Sequence, residues 1–243
     1  MICNVDDYQI NIEIMGYGDP VLLIHGLGSA NFAMYPYAYY LSDFRRIYVD
    51  VPNHGKSGDY EIGLDEISGI FKKIMDNLNF EKFSVIGISM GSMIASIMAS
   101  KYQDSLKKVV LISPTTHLDE QVFKTISMWV GSEEESLRAS FSEKFIRENL
   151  DRIRAYETLH PFDPVRSSQM GAALASFDIR NYKITTETLI LIGIHDILFG
   201  PRFKDSLGKV FPNSRIVEVD SGHSMTFEAI DRIGPVIREF MLG

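Results

Sequence analysis

Two kinds of hydrophobic pattern alternate along the chain. Short runs rich in β-branched residues have the length of buried strands, and between them apolar residues recur at intervals of three and four, as on one face of a helix. The predicted strands are Gln9–Met15, Val21–His25, Arg46–Val51, Phe83–Ile88, Lys108–Ser113, Thr188–Ile194 and Arg215–Val219. The predicted helices are Leu64–Leu78, Met90–Lys101, Phe203–Phe211 and Phe227–Met241. This alternation predicts an α/β fold with a mostly parallel central sheet flanked by helices.

One long stretch interrupts this alternation. From about Thr115 to Tyr182 no run resembles a buried strand, and the apolar spacing indicates helices instead. A connection of this length inside a compact domain is normally functional when it carries secondary structure of its own. We therefore predict a core formed by residues 1–114 and 183–243, with residues 115–182 inserted as a helical cap or lid over the sheet.

Composition places the chain among ordinary globular proteins. Of its 243 residues, 45% are hydrophobic and 23% are charged. The longest apolar strings, such as Val21–Ile24, have four residues, which is too few for a membrane span. The 24 basic and 32 acidic side chains give a net charge of −8, a sign that opposes phosphate binding. Neither a membrane span nor a nucleic-acid partner is expected.

The start of the chain and its cysteine content bear on the compartment. The N-terminal sequence lacks the basic and apolar regions of a secretory signal. The single cysteine, Cys3, cannot form an internal disulfide, which fits a reducing environment. Both observations predict a cytoplasmic protein, and the oligomeric state stays open.

A sharp turn carries the first candidate for chemistry. The sequence Gly87-Ile88-Ser89-Met90-Gly91 matches G-x-S-x-G directly after a predicted strand and directly before a predicted helix. Such a turn lifts the serine hydroxyl clear of the sheet, with glycines on both sides because a Cβ there would collide with the neighbouring strand or helix. Without that context the pattern would fit an ordinary glycine-rich turn. The context predicts that Ser89 is a nucleophile.

A second glycine-flanked turn follows an earlier strand. Val21–Ile24 leads into His25-Gly26-Leu27-Gly28, where a backbone N–H can face a reacting oxygen. Together with the N–H of the residue after the serine, it would form an oxyanion hole. The predicted donors are the backbone amides of Leu27 and Met90. His25 is expected to brace the loop through hydrogen bonds.

The serine needs a base, and the candidates are His25, His54, His117, His160, His195 and His223. In a serine hydrolase of this topology, the base lies in the loop after the last strand and the acid follows the preceding strand. His223 and Asp196 occupy these positions. The chain order Ser89, Asp196, His223 is the order of that architecture, so these three residues are predicted to form a catalytic triad.

With these motifs the chain resembles the α/β-hydrolase superfamily over almost its whole length, the cap excepted. The D-x-x-G-x-G-x-S stretch usual in that family is present as Asp50–Ser57, with Asn53 where glycine is common. Asn tolerates positive φ, so this departure should leave the turn intact. Ser92, where a second glycine often follows the elbow, is a further departure. The resemblance implies acyl transfer to water through Ser89 without a cofactor, and a serine nucleophile argues against the dehalogenase and epoxide hydrolase branches.

The other histidines are expected to be structural or to contact substrate. His54 lies in the loop of the family pattern, and His195 is expected to face solvent or brace its own loop. His117 and His160 lie in the predicted cap, where substrate contact is an alternative. No H-x-x-x-H or cysteine pair has the spacing of metal ligands, so no metal site is predicted.

Apolar residues near the two turns and at the start of the cap are the candidates for a substrate pocket. They are Phe32, Met93, Ile126, Trp129 and Met225. If the cap closes over Ser89, these side chains form an apolar wall, although most of them could simply bury the cap against the sheet. The predicted partner is a small or medium apolar carboxylic ester.

Three classes of function remain open. The first is a carboxylesterase. The second uses the same triad for carbon–carbon chemistry, as in hydrolases of ring-cleavage products or lyases of the menaquinone pathway, and needs a cap arginine beside Ser89. The arginines available are Arg138, Arg147, Arg152, Arg154 and Arg166, whose alternative role is a solvated charged face. The third is a non-catalytic ligand receptor, against which the complete Ser, Asp and His set argues.

Overall fold

The computed structural model describes residues 1–129 and 132–243. Within them, one sheet is formed by β1 (Ile2–Val5), β2 (Tyr8–Met15), β3 (Pro20–Ile24), β4 (Arg45–Val49), β5 (Phe83–Ile88), β6 (Leu106–Ile112), β7 (Thr188–Gly193) and β8 (Ser214–Val219). Their order across the sheet is β1-β2-β4-β3-β5-β6-β7-β8. The pairs β1–β2 and β2–β4 are antiparallel, and the pairs from β4 to β8 are parallel. The predicted mostly parallel sheet is confirmed.

The edge strand β1 is a strand that the hydrophobic pattern does not predict. It has four residues, of which Val5 alone is buried, so it produces no apolar run. It pairs with β2 through a tight turn in which Asp6 adopts a φ of 49°. The seven predicted strands are all present, and their ends agree with the prediction to within one or two residues.

Helices cover both faces of the sheet. They are α1 (Leu64–Asn77), α2 (Met90–Lys101), α3 (Glu120–Trp129), α4 (Glu133–Ser140), α5 (Glu143–Leu159), α6 (Pro164–Ser168), α7 (Gly171–Ala175), α8 (Lys204–Val210) and α9 (Met225–Leu242). Successive side chains of β3 point to opposite faces of the sheet and enter two separate hydrophobic cores. Leu22 and Ile24 pack on the side of α1, α2 and α8, whereas Val21 and Leu23 pack on the side of α9. No helix in the described ranges is long and apolar enough to cross a membrane.

Helices α3 to α7 lie between β6 and β7, which are neighbours in the sheet. Polar side chains cap three of them: Ser132, Ser142 and Asp163 accept hydrogen bonds from backbone N–H groups in the first turns of α4, α5 and α6. Helix α5 is kinked at Asn149, whose φ of −134° is not helical. The segment that lacked a strand pattern is therefore helical along much of its length.

Arg166 of α6 fastens the inserted segment to the core. Its guanidinium donates to the Asp59 carboxylate at 2.7 Å and to the carbonyl oxygens of Gly55 and Ser57 at 2.9 and 2.8 Å. Three hydrogen bonds from one planar side chain fix the position of α6 against the loop that follows β4.

Candidate active site

Three polar side chains from separate loops meet at the carboxyl edge of the sheet. Ser89 directly follows β5, Asp196 lies three residues beyond β7, and His223 lies four residues beyond β8. Because these strands are parallel, their carboxyl ends open at the same edge. This edge is the usual position of ligand sites in open α/β sheets.

Ser89 occupies a strained turn between β5 and α2. Its φ of 51° and ψ of −116° lie in a region that residues with a Cβ rarely adopt. The flanking glycines allow strand and helix to approach closely: a Cβ on Gly87 would lie 2.2 Å from the carbonyl oxygen of Gly91, and a Cβ on Gly91 would lie 2.2 Å from that of Ile24. This is the crowding for which the sequence motif requires glycine.

A continuous hydrogen-bond chain joins the three side chains. The distance from Ser89 Oγ to His223 Nε2 is 2.8 Å, and His223 Nδ1 lies 2.8 Å from Asp196 Oδ2. An ionised carboxylate can only accept, so the proton of a neutral imidazole belongs on Nδ1. Nε2 then carries the lone pair, which faces the serine hydroxyl.

The carboxylate of Asp196 is itself held in place. Its Oδ1 accepts hydrogen bonds from the backbone N–H groups of Leu198 and Phe199 at 2.8 and 3.0 Å, which leaves Oδ2 for the histidine. The side chains of Asp196 and His223 are only 1% and 9% exposed. On the other side, the Ser113 hydroxyl donates to the carbonyl oxygen of His223 at 2.8 Å. His223 is therefore held in position through both its imidazole ring and its backbone carbonyl group.

Two backbone N–H groups near the serine have no acceptor among the described residues. Leu27 and Met90 line the same cavity as Ser89, and no hydrogen bond among the described residues uses either of their amides as a donor. Met90 is the first residue of α2, where a helix leaves its N–H groups without internal partners. These are the two amides that the sequence predicted as oxyanion donors.

Two buried histidines support the loop that contains Leu27. The Val51 N–H donates to His25 Nε2 and the Gly28 N–H donates to His54 Nε2, each at 3.0 Å. Burial lowers the pKa of His25 to about 3, and burial also lowers the pKa of His54. Both rings are therefore neutral acceptors in the bracing role expected of them. Asn53 adopts a φ of 65°, as predicted for the position where glycine is common.

A small apolar cavity opens beside Ser89. Apart from Ser89 and His223, its lining is hydrophobic and consists of Leu27, Met90, Met93, Leu118, Ile126, Leu174, Leu198 and Phe199. Its volume is about 20 Å³, which is room for about one water molecule. Three of the lining residues, Leu118, Ile126 and Leu174, belong to the inserted segment.

The predicted pocket residues divide into three groups. Met93 and Ile126 line the cavity. Phe32 and Met225 are not among its lining residues: Phe32 stacks on His160 with ring centroids 4.0 Å apart, and Met225 is fully buried on the α9 side of the sheet. The side chain of Trp129 lies outside the described part of the chain.

The prediction also missed four lining residues. Leu198 and Phe199 could have been found from their position just after Asp196, since their backbone amides hold its carboxylate. Leu118 and Leu174 carry no local signal, because their contact with the cavity depends on how the inserted segment folds back.

His195 and three arginines of the inserted segment have partners away from the cavity. His195 is exposed and pairs with Asp220 through a distance of 2.8 Å from Nε2 to Oδ1. Arg138 and Arg154 pair with glutamates of α4, and Arg152 lies over the ring of Phe227. In the part of the chain that the structure describes, no arginine or lysine lines the cavity at Ser89. Within the described residues, no three His, Cys, Asp or Glu side chains are grouped to hold a metal ion.

Comparison with known proteins gives a consistent result. Residues 19–230 match the family model described as alpha/beta hydrolase fold. A pimeloyl-(acyl-carrier protein) methyl ester esterase of Nitrosomonas europaea is 26% identical over 182 residues, which cover 74% of this chain and 69% of that protein. A 2-succinyl-6-hydroxy-2,4-cyclohexadiene-1-carboxylate synthase of Escherichia fergusonii is 31% identical over 71 residues, which cover only 29% of this chain and 28% of that protein.

Solved structures resemble the whole chain. The enol-lactonase from Burkholderia xenovorans LB400 superimposes with a TM-score of 0.89 at 19% identity, covering 100% of both chains. The meta-cleavage product hydrolase from Pseudomonas fluorescens IP01 gives a TM-score of 0.79 at 25% identity, covering 97% of this chain and 95% of that one. The fold thus matches that of characterised hydrolases from end to end.

Proposed function

Because the chain belongs to the α/β-hydrolase family, we propose that it is a serine hydrolase that cleaves small to medium apolar carboxylic esters through an acyl-enzyme. The observation that carries this proposal is the hydrogen-bond chain from Asp196 through His223 to Ser89, which ends at an otherwise apolar cavity. The chain supplies a base for the serine, and the apolar lining suits an uncharged substrate.

In the acylation step, Ser89 Oγ attacks the ester carbonyl carbon while His223 Nε2 takes the hydroxyl proton. The carbonyl electrons move onto oxygen, and the free N–H groups of Leu27 and Met90 stabilise the oxyanion. When the oxyanion collapses, the bond to the alcohol oxygen breaks and the leaving alcohol takes the proton from His223. Asp196 stabilises the imidazolium and keeps its ring oriented.

Deacylation repeats these roles with water. His223 takes a proton from water, whose oxygen attacks the acyl carbon, and the second oxyanion uses the same two amides. Collapse breaks the bond to Ser89 Oγ, which recovers its proton from His223. The acid is released and no cofactor takes part.

The inserted segment is proposed to act as a cap, with residues 115–182 closing over a core of residues 1–114 and 183–243. Leu118, Ile126 and Leu174 support this role because they form one wall of the cavity at Ser89. A volume of about 20 Å³ is smaller than any ester, so side chains or the cap must move when substrate enters.

Carbon–carbon bond cleavage is the second candidate. The likeness to the meta-cleavage product hydrolase favours it, as does the shorter match to the 2-succinyl-6-hydroxy-2,4-cyclohexadiene-1-carboxylate synthase. A substrate carboxylate would need a cation, whereas the described residues that line the cavity include no arginine or lysine and Arg166 is held by the core loop. We therefore rank ester cleavage first, and a non-catalytic receptor last because the three polar groups are complete and aligned.

The decisive experiment is a hydrolysis screen with nitrophenyl esters of graded acyl length, run on the wild-type protein and Ser89→Ala. Turnover that depends on Ser89 and falls for long acyl chains is expected. A fluorophosphonate probe run in parallel should label the wild type only. Labelling without ester turnover would favour carbon–carbon chemistry, and the absence of both would favour a receptor.

A further inference from the structure

The loop that carries His223 is tied down on both sides of the histidine. On one side, the Ser224 N–H donates to the carbonyl oxygen of Ser140 at 2.7 Å. On the other, the Gly222 N–H donates to Oε2 of Glu228 at 3.0 Å. Ser140 is the last residue of α4. The first of these bonds therefore joins the histidine loop to the inserted segment.

The Glu228 carboxylate makes a second connection to the same place. Its Oε2 also accepts from the Ser142 N–H at 3.0 Å, and its Oε1 accepts from the Ser142 hydroxyl. Glu228 is buried, as is Ser142. One buried carboxylate thus bridges the residue before His223 and the residue that caps the start of α5.

The backbone segments joined by the Glu228 carboxylate are in close contact. A Cβ on Gly222 would lie 2.6 Å from the carbonyl carbon of Phe141, so the histidine loop and the chain between α4 and α5 are in backbone contact. A shift of either segment must move the other.

We infer that Glu228 is a positioning residue, which keeps His223 aligned with Ser89 by fastening Gly222 to Ser142. This inference rests on the proposed role of His223 as the base. Glu228 does not line the cavity at Ser89, so it acts through the loop and not on substrate. The three groups that donate hydrogen bonds to Glu228 are neutral. The length of its side chain, and not its charge, therefore determines whether it can bridge Gly222 and Ser142.

Two conservative variants separate the effect of side-chain length at Glu228 from the effect of its charge. Glu228→Gln keeps the length: the amide oxygen can accept from both N–H groups, and the amide nitrogen can donate to the Ser142 hydroxyl. Glu228→Asp keeps the charge but is shorter by one C–C bond of about 1.5 Å, which would stretch the hydrogen bonds from 3.0 Å to beyond their useful range. Glu239→Gln and Glu239→Asp are matched controls, because Glu239 is an exposed residue of the same helix that pairs with Arg215.

The kinetic test measures kcat and KM on the best nitrophenyl ester. Glu228→Asp should lose kcat by about 10- to 100-fold, the range expected for a base displaced by about 1 Å, with KM changed by less than about threefold. Glu228→Gln should stay within about threefold of the wild type. Normal kcat in Glu228→Asp, or equal damage in Glu228→Gln and Glu228→Asp, would overturn the inference.

Amide hydrogen exchange gives an independent measurement. In Glu228→Asp, exchange should become faster at both Gly222 and Ser142, while the Glu239 variants match the wild type. Unchanged exchange at either site contradicts the bridge. A wild-type protein that neither hydrolyses esters nor reacts with the probe would refute the proposed function separately, since the exchange result does not depend on activity.

Discussion

Replacing Asp196 by asparagine tests the proposed mechanism most directly. The two backbone N–H groups that bind Oδ1 decide how the new amide turns. If the amide oxygen faces them, the amide NH2 faces His223 Nδ1, which must then accept. The proton of the neutral ring moves to Nε2, so Ser89 loses its base.

The size of this effect follows from the hydrogen bonds. The opposite orientation of the amide would leave both backbone N–H groups without an acceptor, at a cost of about 1 kcal/mol each or more. A difference of about 2 kcal/mol favours the unproductive orientation roughly thirtyfold. Loss of the carboxylate charge also removes the stabilisation of the imidazolium, so we expect a total loss in kcat on the order of 10⁴-fold.

The assay is nitrophenyl ester hydrolysis, with Ser89→Ala as the background and the melting temperature as the check on folding. Asp220→Asn is the matched control, since Asp220 forms the other Asp–His pair at this edge, with exposed His195. That variant should retain nearly full activity. A folded Asp196→Asn protein within about tenfold of the wild-type kcat would refute the reasoning.

Three further predictions concern the site and its support. His223→Ala should abolish labelling by a fluorophosphonate, whereas His195→Ala should keep most of it; equal rates in the two variants would contradict the assignment of the base. Gly91→Ala places a Cβ 2.2 Å from a carbonyl oxygen of β3 and should lower the free energy of unfolding in urea by about 3 kcal/mol. Gly171→Ala is the control, because a Cβ there has no atom within 4 Å, and it should leave the free energy of unfolding unchanged. The unfolded state takes up a proton at His25 near pH 6.5, but the folded state, with a pKa of about 3, does not. His25 therefore contributes a loss of stability of about 2 kcal/mol as the pH falls from 7 to 5, and His25→Gln should make the pH dependence shallower by that amount; parallel curves for both proteins would exclude this contribution.

Most strands of the sheet could be predicted because they are buried on both faces, and such strands have nearly continuous apolar sequences. Strands β5 to β7 are nearly all apolar, since both faces are covered, and their boundaries were found to within one or two residues. Strand β1 pairs with β2 alone and has one buried side chain, so its sequence contains no apolar run. The five-residue helices α6 and α7 are too short for a helical period to be recognised.

The polar site was easier to predict than the pocket. Each polar residue has a fixed offset from the end of a strand, and the sheet brings those ends together. The pocket depends on the path of the inserted segment, which is why Leu118 and Leu174 were missed. Met225, the first residue of α9, packs in the core on the α9 side of the sheet, a contact that its position two residues after His223 does not reveal.

The hydrogen bond from Ser224 to Ser140 also has a consequence for engineering the chain. Ser89 and Asp196 depend on the sheet, so an exchange of the segment between β6 and β7 with that of another hydrolase would leave them in place. His223 depends partly on residues 140–142 of the exchanged segment. A chimera intended to change substrate range should therefore keep those three residues, because otherwise His223 would lose its alignment with Ser89.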